Sequence, residues 1–478
     1  MYWVAGVFAV LLAGCADRYG YHRDEMYFLA AGRRLDWGYA DQPPLVPLLA
    51  RAMAAIDAHS LVVLRLPAIV AATAVIVCTG WAARELGGSR AAQTLAAAAA
   101  ASSALLLGGG HQLGTVIFDL AVWSAVVVTV LRLLRPESDR RWWLLAGVLA
   151  GIGLQNKTLL ALPLLVLACA FLLLGPRKLF VTRYFPVALA IAAVIWAPNL
   201  WWQMRNGLPQ LEMSRAIAGG SSGTSDGPAA FVLLQFGLMG PLMVVLWGAG
   251  LWWLARQQRC RAFALTYVLL FVAYLTAGGK AYYLGGMYPV LLAAGATALV
   301  PALTRTRARL AATAAVVALN AAVSAVLFLP VLPVAALRDS PILALNYDAG
   351  ETVGWPRFAD RIAEARARSA PDAEILTANY GEAAAIERFG APYDLPVPRS
   401  GHNAYWWWGP PADARPILTV GLTRAEVARF CADSAPESAG RIDNGLGIDN
   451  DEQGAAMYVC RTVRAPWAQL WPAQRQLG

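Results

Sequence analysis

Three carboxylates near the start of the chain are the first candidates for chemistry. Asp24 and Glu25 are adjacent and follow an apolar N-terminus, and Asp41 precedes two prolines. A carboxylate just outside a bilayer can accept a proton from an acceptor hydroxyl, because a nearby apolar surface raises its pKa toward the range of a general base. The apolar residues after Glu25 predict a helix along the membrane surface, with the acidic pair at its N-terminus. The helix dipole favours negative charge there, so capping is the alternative role for either residue.

The sequence Asp41-Gln42-Pro43-Pro44 predicts a rigid turn. The two prolines stiffen the chain and disfavour helix at the residue before them. Such a turn can hold Asp41 at a fixed place opposite Asp24. A turn residue that caps the next helix is the alternative for Asp41.

Basic residues at the predicted outer ends of helices are candidates for binding a lipid phosphate. Lys280 has the most favourable neighbours, because glycines flank it and Tyr282 and Tyr283 add hydroxyl donors. For each cation, extension to the lipid headgroups is the alternative. The other candidates are Lys157 in QNKT, Arg205 in QMRNG, Arg65 near the outer end of the second predicted helix, and His111 in GGGHQLG.

The composition predicts an integral membrane protein. Of the 478 residues, 58% are hydrophobic and only 14% are charged, whereas a soluble domain has about 25% charged residues. The net charge is +9, yet residues 339–478 hold 18 acidic residues against 13 arginines. The positive charge therefore belongs to residues 1–338, where the positive-inside rule explains it, and no nucleic-acid partner is needed.

The positions of the basic loops predict the number of membrane crossings, because two loops on the same side of the membrane must be separated by an even number of crossings. A crossing helix needs about 20 residues. The apolar run 142–174 is too long for a single crossing, so we divide it at QNKT into two helices. The run 1–16 contains no basic n-region of the kind that a signal peptide needs, so we interpret it as a first transmembrane helix. Five loops with 15 basic residues against three acidic ones should face the cytoplasm. We therefore expect a mainly α, polytopic protein with 11 transmembrane helices, a cytoplasmic N-terminus and a first outer loop at about 17–58. The basic loops are 84–90, 131–141, 175–183, 255–261 and 304–309.

After residue 338 the pattern changes. Alternating helix and strand patterns over 339–478 predict a small α/β domain. The predicted helices are GWPRFADRIAEARARS, GEAAAIERFG and TRAEVARFCAD, and the predicted strands are AEILTANY, ARPILTVGL and AAMYVCRTV. Thr423 and Glu426 have the spacing of a capping box. Cys431 and Cys460 lie here, and a disulfide between them is one alternative if the domain is outside the cytoplasm. Upstream, GGSSGTSDG at 219–227 predicts a flexible loop.

No cofactor is predicted. The cysteines and histidines lack metal-ligand spacing, and we find no clustered aspartates. No P-loop or GxGxxG opens an αβ unit, so neither a nucleotide-sugar donor nor an ATP-driven mechanism has support.

Together these motifs resemble a known family. The first-loop Asp-Glu pair, AAGRRLDWGYADQPPL and GKAYYLGGMYPVLLAAGA look like the membrane glycosyltransferases of the C superfamily. Specifically, they resemble family 39, the protein-mannosyltransferase-like group that includes the aminoarabinose transferases. C-terminal stretches such as TANYGEAAAIERFG and IDNDEQGAAMYVC resemble its actinobacterial branch. The resemblance covers nearly the whole chain and is specific for the superfamily rather than for a substrate.

The resemblance implies an activity and a location. It implies transfer of a sugar, with inversion, from a polyprenyl-phosphate donor to a protein, lipid or cell-envelope glycan. It also implies a multi-pass protein of the plasma membrane whose active site and C-terminal domain are extracytoplasmic. In the family a first-loop carboxylate acts as base or as an anchor for the acceptor, which matches Asp24. We expect Asp24 to be the base and Glu25 and Asp41 to be the supporting carboxylates.

Gln42 departs from the aminoarabinose transferases. The DQPP stretch resembles the family's element before Pro-Pro and so places Gln42 at the site. The aminoarabinose transferases have a lysine there that contacts the donor phosphate, whereas Gln42 has no charge. We expect Lys280 or Lys157 to take over that contact.

Two other functions fit parts of the sequence. A transporter or flippase for a lipid-linked sugar would have ionisable residues at mid-membrane and repeated halves, but the charges cluster at helix ends and no repeat is found. A non-catalytic scaffold could bind a glycan through the aromatic run Tyr405-Trp406-Trp407-Trp408. That run would equally suit docking on the bilayer or on the loop 203–228.

Overall fold

The computed structural model describes residues 1–219, 227–413, 415–432 and 436–478. It is mainly helical and divides into two compact units. The helical unit comprises Met1–Ala16, Gln42–Val46 and Val62–Val331. The mixed unit comprises Asp17–Asp41, Pro47–Leu61 and Leu332–Gly478. Most of the first loop thus folds with the C-terminal segment, whereas the sequence grouped it with residues 1–338. The predicted loop 219–227 lies almost wholly outside the described residues.

Apolar helices dominate the chain before residue 332. They are rich in alanine, leucine and valine, and their buried side chains form one large core. In chain order the helices of this part are α1 (Tyr2–Cys15), α2 (Arg23–Arg33), α3 (Leu45–Ile56), α4 (Leu61–Glu85), α5 (Arg90–Ala101), α6 (Ala104–His111), α7 (Thr115–Leu133), α8 (Trp142–Leu154), α9 (Ala161–Leu174), α10 (Tyr184–Arg205), α11 (Pro209–Ala218), α12 (Pro228–Met239), α13 (Val244–Arg256), α14 (Arg261–Thr276), α15 (Tyr288–Leu303) and α16 (Arg307–Phe328).

The structure supports only part of the predicted set of membrane crossings. Among the described residues, five helical segments are long and apolar enough to cross a membrane, or seven if two bent pairs each count as one span. The pairs α5–α6 and α12–α13 are bent by 61° and 85°. The break predicted at QNKT is present between α8 and α9. The prediction of eleven crossings is not confirmed, because the remaining apolar helices have only 10–17 residues.

Close packing of α13 on α15 illustrates how the helical unit is held together. Gly250 and Gly295 face each other's helix, and a Cβ on either would lie 1.9 Å from a backbone oxygen of the other helix. Small residues at such crossings let two backbones approach, which supplies van der Waals contact where lipid gives no hydrophobic drive.

The mixed unit contains a five-stranded sheet in the order β2-β1-β3-β5-β4. β1 runs parallel to β2 and β3, whereas β5 runs antiparallel to β3 and β4. The α/β character predicted for 339–478 is therefore observed. The elements after residue 331 are α17 (Val334–Arg338), α18 (Ile342–Leu345), α19 (Trp355–Ser369), β1 (Glu374–Thr377), α20 (Tyr380–Phe389), β2 (Arg399–Ser400), α21 (Ala404–Trp407), β3 (Ile417–Val420), α22 (Arg424–Phe430), β4 (Glu437–Arg441), β5 (Ala456–Cys460) and α23 (Trp467–Leu470).

Two local features that the sequence indicated in this unit, a helix cap and a disulfide, are present in the structure. Thr423 and Glu426 form the expected capping box at α22. Cys431 and Cys460 form a disulfide between the end of α22 and β5. Cys15, Cys78, Cys169 and Cys260 are free thiols.

Candidate active site

The N-terminus of α2 separates the roles of the adjacent acidic residues. His22 is the N-cap, and its Nδ1 accepts a hydrogen bond of 3.2 Å from the Asp24 backbone N–H. Glu25 is fully buried, and its Oε2 accepts from the His22 backbone N–H at 2.9 Å. Glu25 thus completes a capping box, the arrangement that satisfies otherwise unpaired helix N–H groups. Glu25 therefore has the capping role that the sequence offered for either residue. The Asp24 side chain does not take part in the capping box.

The partner of Asp24 comes from the C-terminal segment of the same unit. The Tyr380 hydroxyl donates to Asp24 Oδ1 at 2.7 Å. Tyr380 is the first residue of α20, whose N-terminus is fixed by a capping box between Asn379 and Glu382. The carboxylate that the sequence nominates as base is therefore held in a defined position.

A second tyrosine holds the second carboxylate. Tyr27 lies one turn after Asp24 on α2, and its hydroxyl donates to Asp41 Oδ1 at 2.7 Å. Burial raises the pKa of Asp41 to about 6, and the hydrogen bond from Tyr27 opposes that rise. The negative charge of Asp24 adds to the rise, so the two carboxylates interact electrostatically. Asp41 is therefore held by a residue of α2.

Arg23 lies beside this pair and was not singled out by the sequence. Its Nη1 forms ion pairs with Asp451 at 2.6 Å and with Glu351 at 3.3 Å. Its guanidinium carbon lies 5.2 Å from the centre of the Tyr380 ring, which is cation–π distance. Arg23 thus connects the first turn of α2 to the C-terminal segment and to the tyrosine that holds Asp24.

In the helical unit, two predicted cations share one cluster. Lys157 Nζ lies 4.8 Å from the Tyr282 ring centre and 4.5 Å from that of Tyr283. Lys157 also interacts electrostatically with Lys280 and with Asp119. The structure therefore brings together Lys157, Lys280 and Tyr283, all nominated as donor-binding residues. We name Asp119, Lys157, Lys280, Tyr282 and Tyr283 the lysine cluster.

Hydrogen bonds from outside the lysine cluster fix the turn that follows Lys280. The Gln235 amide nitrogen donates to the Ala281 carbonyl at 3.0 Å, and the Gln235 amide oxygen accepts from the Tyr288 hydroxyl at 2.8 Å. On the other side, the Thr158 hydroxyl donates to Gln210 at 2.6 Å. The Gln235 contacts are buried and hold the residue after Lys280, and the Thr158 contact holds the residue after Lys157.

Gln42 belongs to the helical unit, and its turn lies near the QNKT break between α8 and α9. The Leu45 backbone N–H donates to the Gln155 carbonyl at 3.0 Å, which joins the Pro-Pro turn to the QNKT segment. Gln42 is only 4% exposed, and its amide nitrogen has no hydrogen-bond acceptor among the described residues. A buried amide N–H of this kind is costly unless a ligand or water accepts from it.

The three remaining cationic candidates have different surroundings. Arg65 is fully buried, donates to the Ala16 carbonyl at 2.9 Å and lies 3.3 Å from His111 Nε2. Arg205 is exposed, and its guanidinium stacks on Trp201 at 4.8 Å. These contacts do not involve the lysine cluster. Phosphate binding therefore stays a prediction for Arg65, His111 and Arg205.

Asp119 is a residue of the lysine cluster that the sequence analysis missed. It lies in the first half of α7, an otherwise apolar helix, and one carboxylate oxygen is buried with no hydrogen-bond partner among the described residues. An ionisable residue within an apolar helix is itself a functional signal. That signal was available in the sequence, whereas nothing in the sequence pointed to Tyr380 or Arg23.

The aromatic run at 405–408 is largely engaged within the mixed unit. Tyr405 is buried and donates to Glu387 at 3.0 Å. The indole N–H groups of Trp406 and Trp471 each donate to the other residue's carbonyl at 3.0 Å. These contacts describe a packed structural segment. Within the described ranges, no group of three or more metal-ligating side chains could hold an ion.

Known proteins resemble this chain in sequence. A family model described as dolichyl-phosphate-mannose-protein mannosyltransferase matches residues 41–202. The lipid A galacturonosyltransferase RgtD of Rhizobium johnstonii is 26% identical over 247 residues. That match covers 50% of this chain and 50% of RgtD, so the chain spans about half the length of the curated relative it matches.

Solved structures share the fold. ArnT from Cupriavidus metallidurans superposes with a TM-score of 0.60 and 15% identity, covering 96% of this chain and 97% of ArnT. The structure of that protein bound to undecaprenyl phosphate gives the same TM-score. The chain therefore shares the fold of ArnT over nearly its whole length, and residues 41–202 match the mannosyltransferase family model. An oligosaccharyltransferase from Archaeoglobus fulgidus has the same type of fold at a TM-score of 0.50 and 13% identity, covering 83% of this chain and 64% of that chain.

Proposed function

We propose that this protein is a membrane glycosyltransferase that moves a sugar from a polyprenyl-phosphate donor to an acceptor hydroxyl with inversion. The observation that carries the proposal is the pair Asp24 and Asp41, each held at 2.7 Å by a tyrosine hydroxyl on or beside α2. Two fixed carboxylates of this kind suit removal of a proton from an incoming hydroxyl. The match of residues 41–202 to the mannosyltransferase family model and the similarity to RgtD support sugar transfer as the reaction class.

In the proposed reaction Asp24 acts as the base. The acceptor oxygen attacks the anomeric carbon, a new carbon–oxygen bond forms, and the bond from that carbon to the phosphate oxygen breaks. The leaving polyprenyl phosphate keeps the electron pair of the broken bond, and Asp24 takes the proton of the acceptor hydroxyl. Asp41 supports the reaction through its electrostatic interaction with Asp24. The activated sugar–phosphate bond supplies the driving force, so no further co-reactant is required.

We assign the donor phosphate to the lysine cluster. Lys157 and Lys280 supply positive charge at one place in the helical unit, and Tyr282 and Tyr283 add hydroxyl donors. Cations and hydroxyl donors stabilise the charge that grows on a departing phosphate. The buried amide of Gln42 would donate to a phosphate oxygen, which gives the uncharged residue of the DQPP turn a role. The complex of ArnT with undecaprenyl phosphate supports a lipid phosphate as ligand of this fold.

The proposed location is the plasma membrane, with the mixed unit on the extracytoplasmic side. The Cys431–Cys460 disulfide supports this side, because disulfides persist in oxidising compartments and are rare in the cytosol. An acceptor on the same side would be a protein, a lipid or a cell-envelope glycan, and an assay has to distinguish these three.

The proposal is tested with purified full-length protein in proteoliposomes. We expect release of undecaprenyl phosphate from at least one of three labelled donors, carrying mannose, galacturonic acid or aminoarabinose. Envelope fractions split into protein, lipid and glycan serve as acceptors, and mass spectrometry locates the label. The anomeric configuration of the product, read by NMR, should be opposite to that of the donor. Movement of the donor across the vesicle membrane, with its sugar–phosphate bond intact, would instead support a flippase.

The pH dependence of transfer should report the environment of Asp41. If its carboxylate form supports the reaction, kcat/KM rises as pH increases through about 6, the pKa of Asp41. Tyr27→Phe removes a hydrogen bond that favours the carboxylate, so the pKa of Asp41 rises further and the acidic limb moves to higher pH. At pH 6.5 we expect the variant to be several-fold slower than the wild type and to recover at pH 8. An acidic limb that stays in place in Tyr27→Phe would contradict this role.

A further inference from the structure

The Tyr380–Asp24 contact joins two distant parts of the chain inside the mixed unit. The two residues are 356 positions apart, and the hydroxyl to carboxylate distance is 2.7 Å. The N-termini of α2 and α20 approach closely here, because a Cβ on Gly381 would lie 3.1 Å from the Arg23 Cβ. A side chain at position 381 would therefore push the two helix ends apart.

The position of Tyr380 is determined from several sides. Its ring centre lies 4.8 Å from that of Tyr27 and 5.1 Å from that of His402. Arg23 covers the ring and is itself ion-paired to Asp451 and Glu351. The backbone at Tyr380 is fixed by the capping box at the start of α20. A hydroxyl carried on a ring held in this way points to one place, which is Asp24 Oδ1.

We propose that Tyr380 is a positioning residue that holds Asp24 Oδ1, so that Oδ2 accepts the proton of the incoming hydroxyl. This inference rests on the proposed function, because it assigns a role relative to the proposed base. A carboxylate on a short side chain otherwise rotates about its terminal bond, and the reaction needs one of its oxygens in line with the acceptor. The C-terminal segment would thereby contribute to transfer through a residue that acts on the base rather than on the substrate.

The expected consequence is a loss of rate with little loss of binding. Tyr380→Phe keeps the ring, its neighbours and the Arg23 contact, and it removes only the hydroxyl. Misplacement of a reacting group by about 1 Å costs on the order of 100-fold in rate, so we expect kcat to fall about 10- to 100-fold. The KM for the donor and the Kd for undecaprenyl phosphate should stay within about twofold, because the proposed phosphate ligands lie in the helical unit.

The experiment uses full-length protein in proteoliposomes with the donor that gives turnover. Tyr393→Phe is the matched control, because Tyr393 lies in the same unit and is 42% exposed. A second variant carries 3-fluorotyrosine at position 380, which retains the hydroxyl and should restore kcat to near the wild-type value. Thermal unfolding of each variant is measured in parallel.

The outcomes separate this inference from the proposed function. A kcat loss in Tyr380→Phe alone, with unchanged KM and thermal stability and with recovery by fluorotyrosine, supports the inference. It is overturned by wild-type kcat in Tyr380→Phe, by an equal loss in Tyr393→Phe, or by a loss of kcat that accompanies a loss of stability and of phosphate binding. If Asp24→Asn retains full turnover, the proposed base itself is wrong. If Asp24→Asn is inactive and Tyr380→Phe is fully active, only the inference fails.

Discussion

Replacing Asp24 by asparagine should reduce transfer by at least about 100-fold, and by as much as about 10,000-fold, the range over which a general base contributes. Asparagine has nearly the same size and keeps an oxygen that can accept the 2.7 Å hydrogen bond from Tyr380. The α2 N-terminus is capped by His22 and Glu25, so it does not depend on the Asp24 carboxylate. The loss should therefore be chemical, and it is measured as kcat of purified protein at saturating donor.

Matched variants distinguish this loss from general damage. Asp372→Asn changes an exposed aspartate of the same unit and should leave kcat unchanged. Glu25→Ala should act differently from Asp24→Asn, because Glu25 caps α2 and alanine cannot accept the hydrogen bond from the His22 backbone N–H. Weakening that cap should destabilise the fold by about 1 kcal/mol rather than remove the chemical step. Wild-type turnover in Asp24→Asn, at normal expression and stability, would exclude Asp24 as the base.

The different roles of Asp24 and Glu25 show what the sequence could predict and where it could not. The helix after the pair, and its acidic first turn, follow from apolar spacing and helix electrostatics, which are local properties. The choice between capping and chemistry depends on Tyr380, which lies far along the chain and reaches Asp24 only through the tertiary fold. A local pattern holds no information about such a contact, so the sequence left both roles open.

The same distinction applies to the fold. The helices α19 and α20 and the strands β1, β3 and β5 have strong periodic or capped sequences, and the structure contains them close to their predicted places. The strands β2 and β4 were not predicted. β2 has only two residues, and β4 is mostly exposed and carries an irregularity between Ser438 and Gly440. Their strand character comes from pairing with neighbours in the sheet rather than from their own residues.

The lysine cluster could be anticipated only in part. Lys157 and Lys280 were both predicted to bind a lipid phosphate because they are cations at the predicted outer face, but their mutual proximity depends on how the helices α9 and α14 pack. Asp119 was overlooked although a single carboxylate in an apolar helix is unusual. Asp119 interacts electrostatically with Lys157. Removing a lysine from the lysine cluster therefore also leaves the negative charge of Asp119 less well neutralised.

Removing the charge of Lys157 or Lys280 should therefore weaken donor binding strongly. We expect each of Lys157→Met and Lys280→Ala to cost at least about 2 kcal/mol, or roughly 30-fold in Kd for undecaprenyl phosphate. Lys157→Met should have the larger effect. It leaves Asp119 facing the incoming phosphate without its neighbouring cation, and like charges repel. Binding is measured by titration of the lipid phosphate into detergent-solubilised protein.

The chain provides its own control for this experiment, because it contains only one other lysine. Lys178 is exposed in the predicted cytoplasmic loop 175–183, and Lys178→Met should leave the Kd unchanged. Salt dependence gives a second test, because loss of a phosphate-binding cation should reduce the sensitivity of binding to ionic strength. If both cluster variants bind undecaprenyl phosphate as the wild type does, the phosphate is held elsewhere. Arg205, the exposed cation at the end of α10, would then be the next candidate.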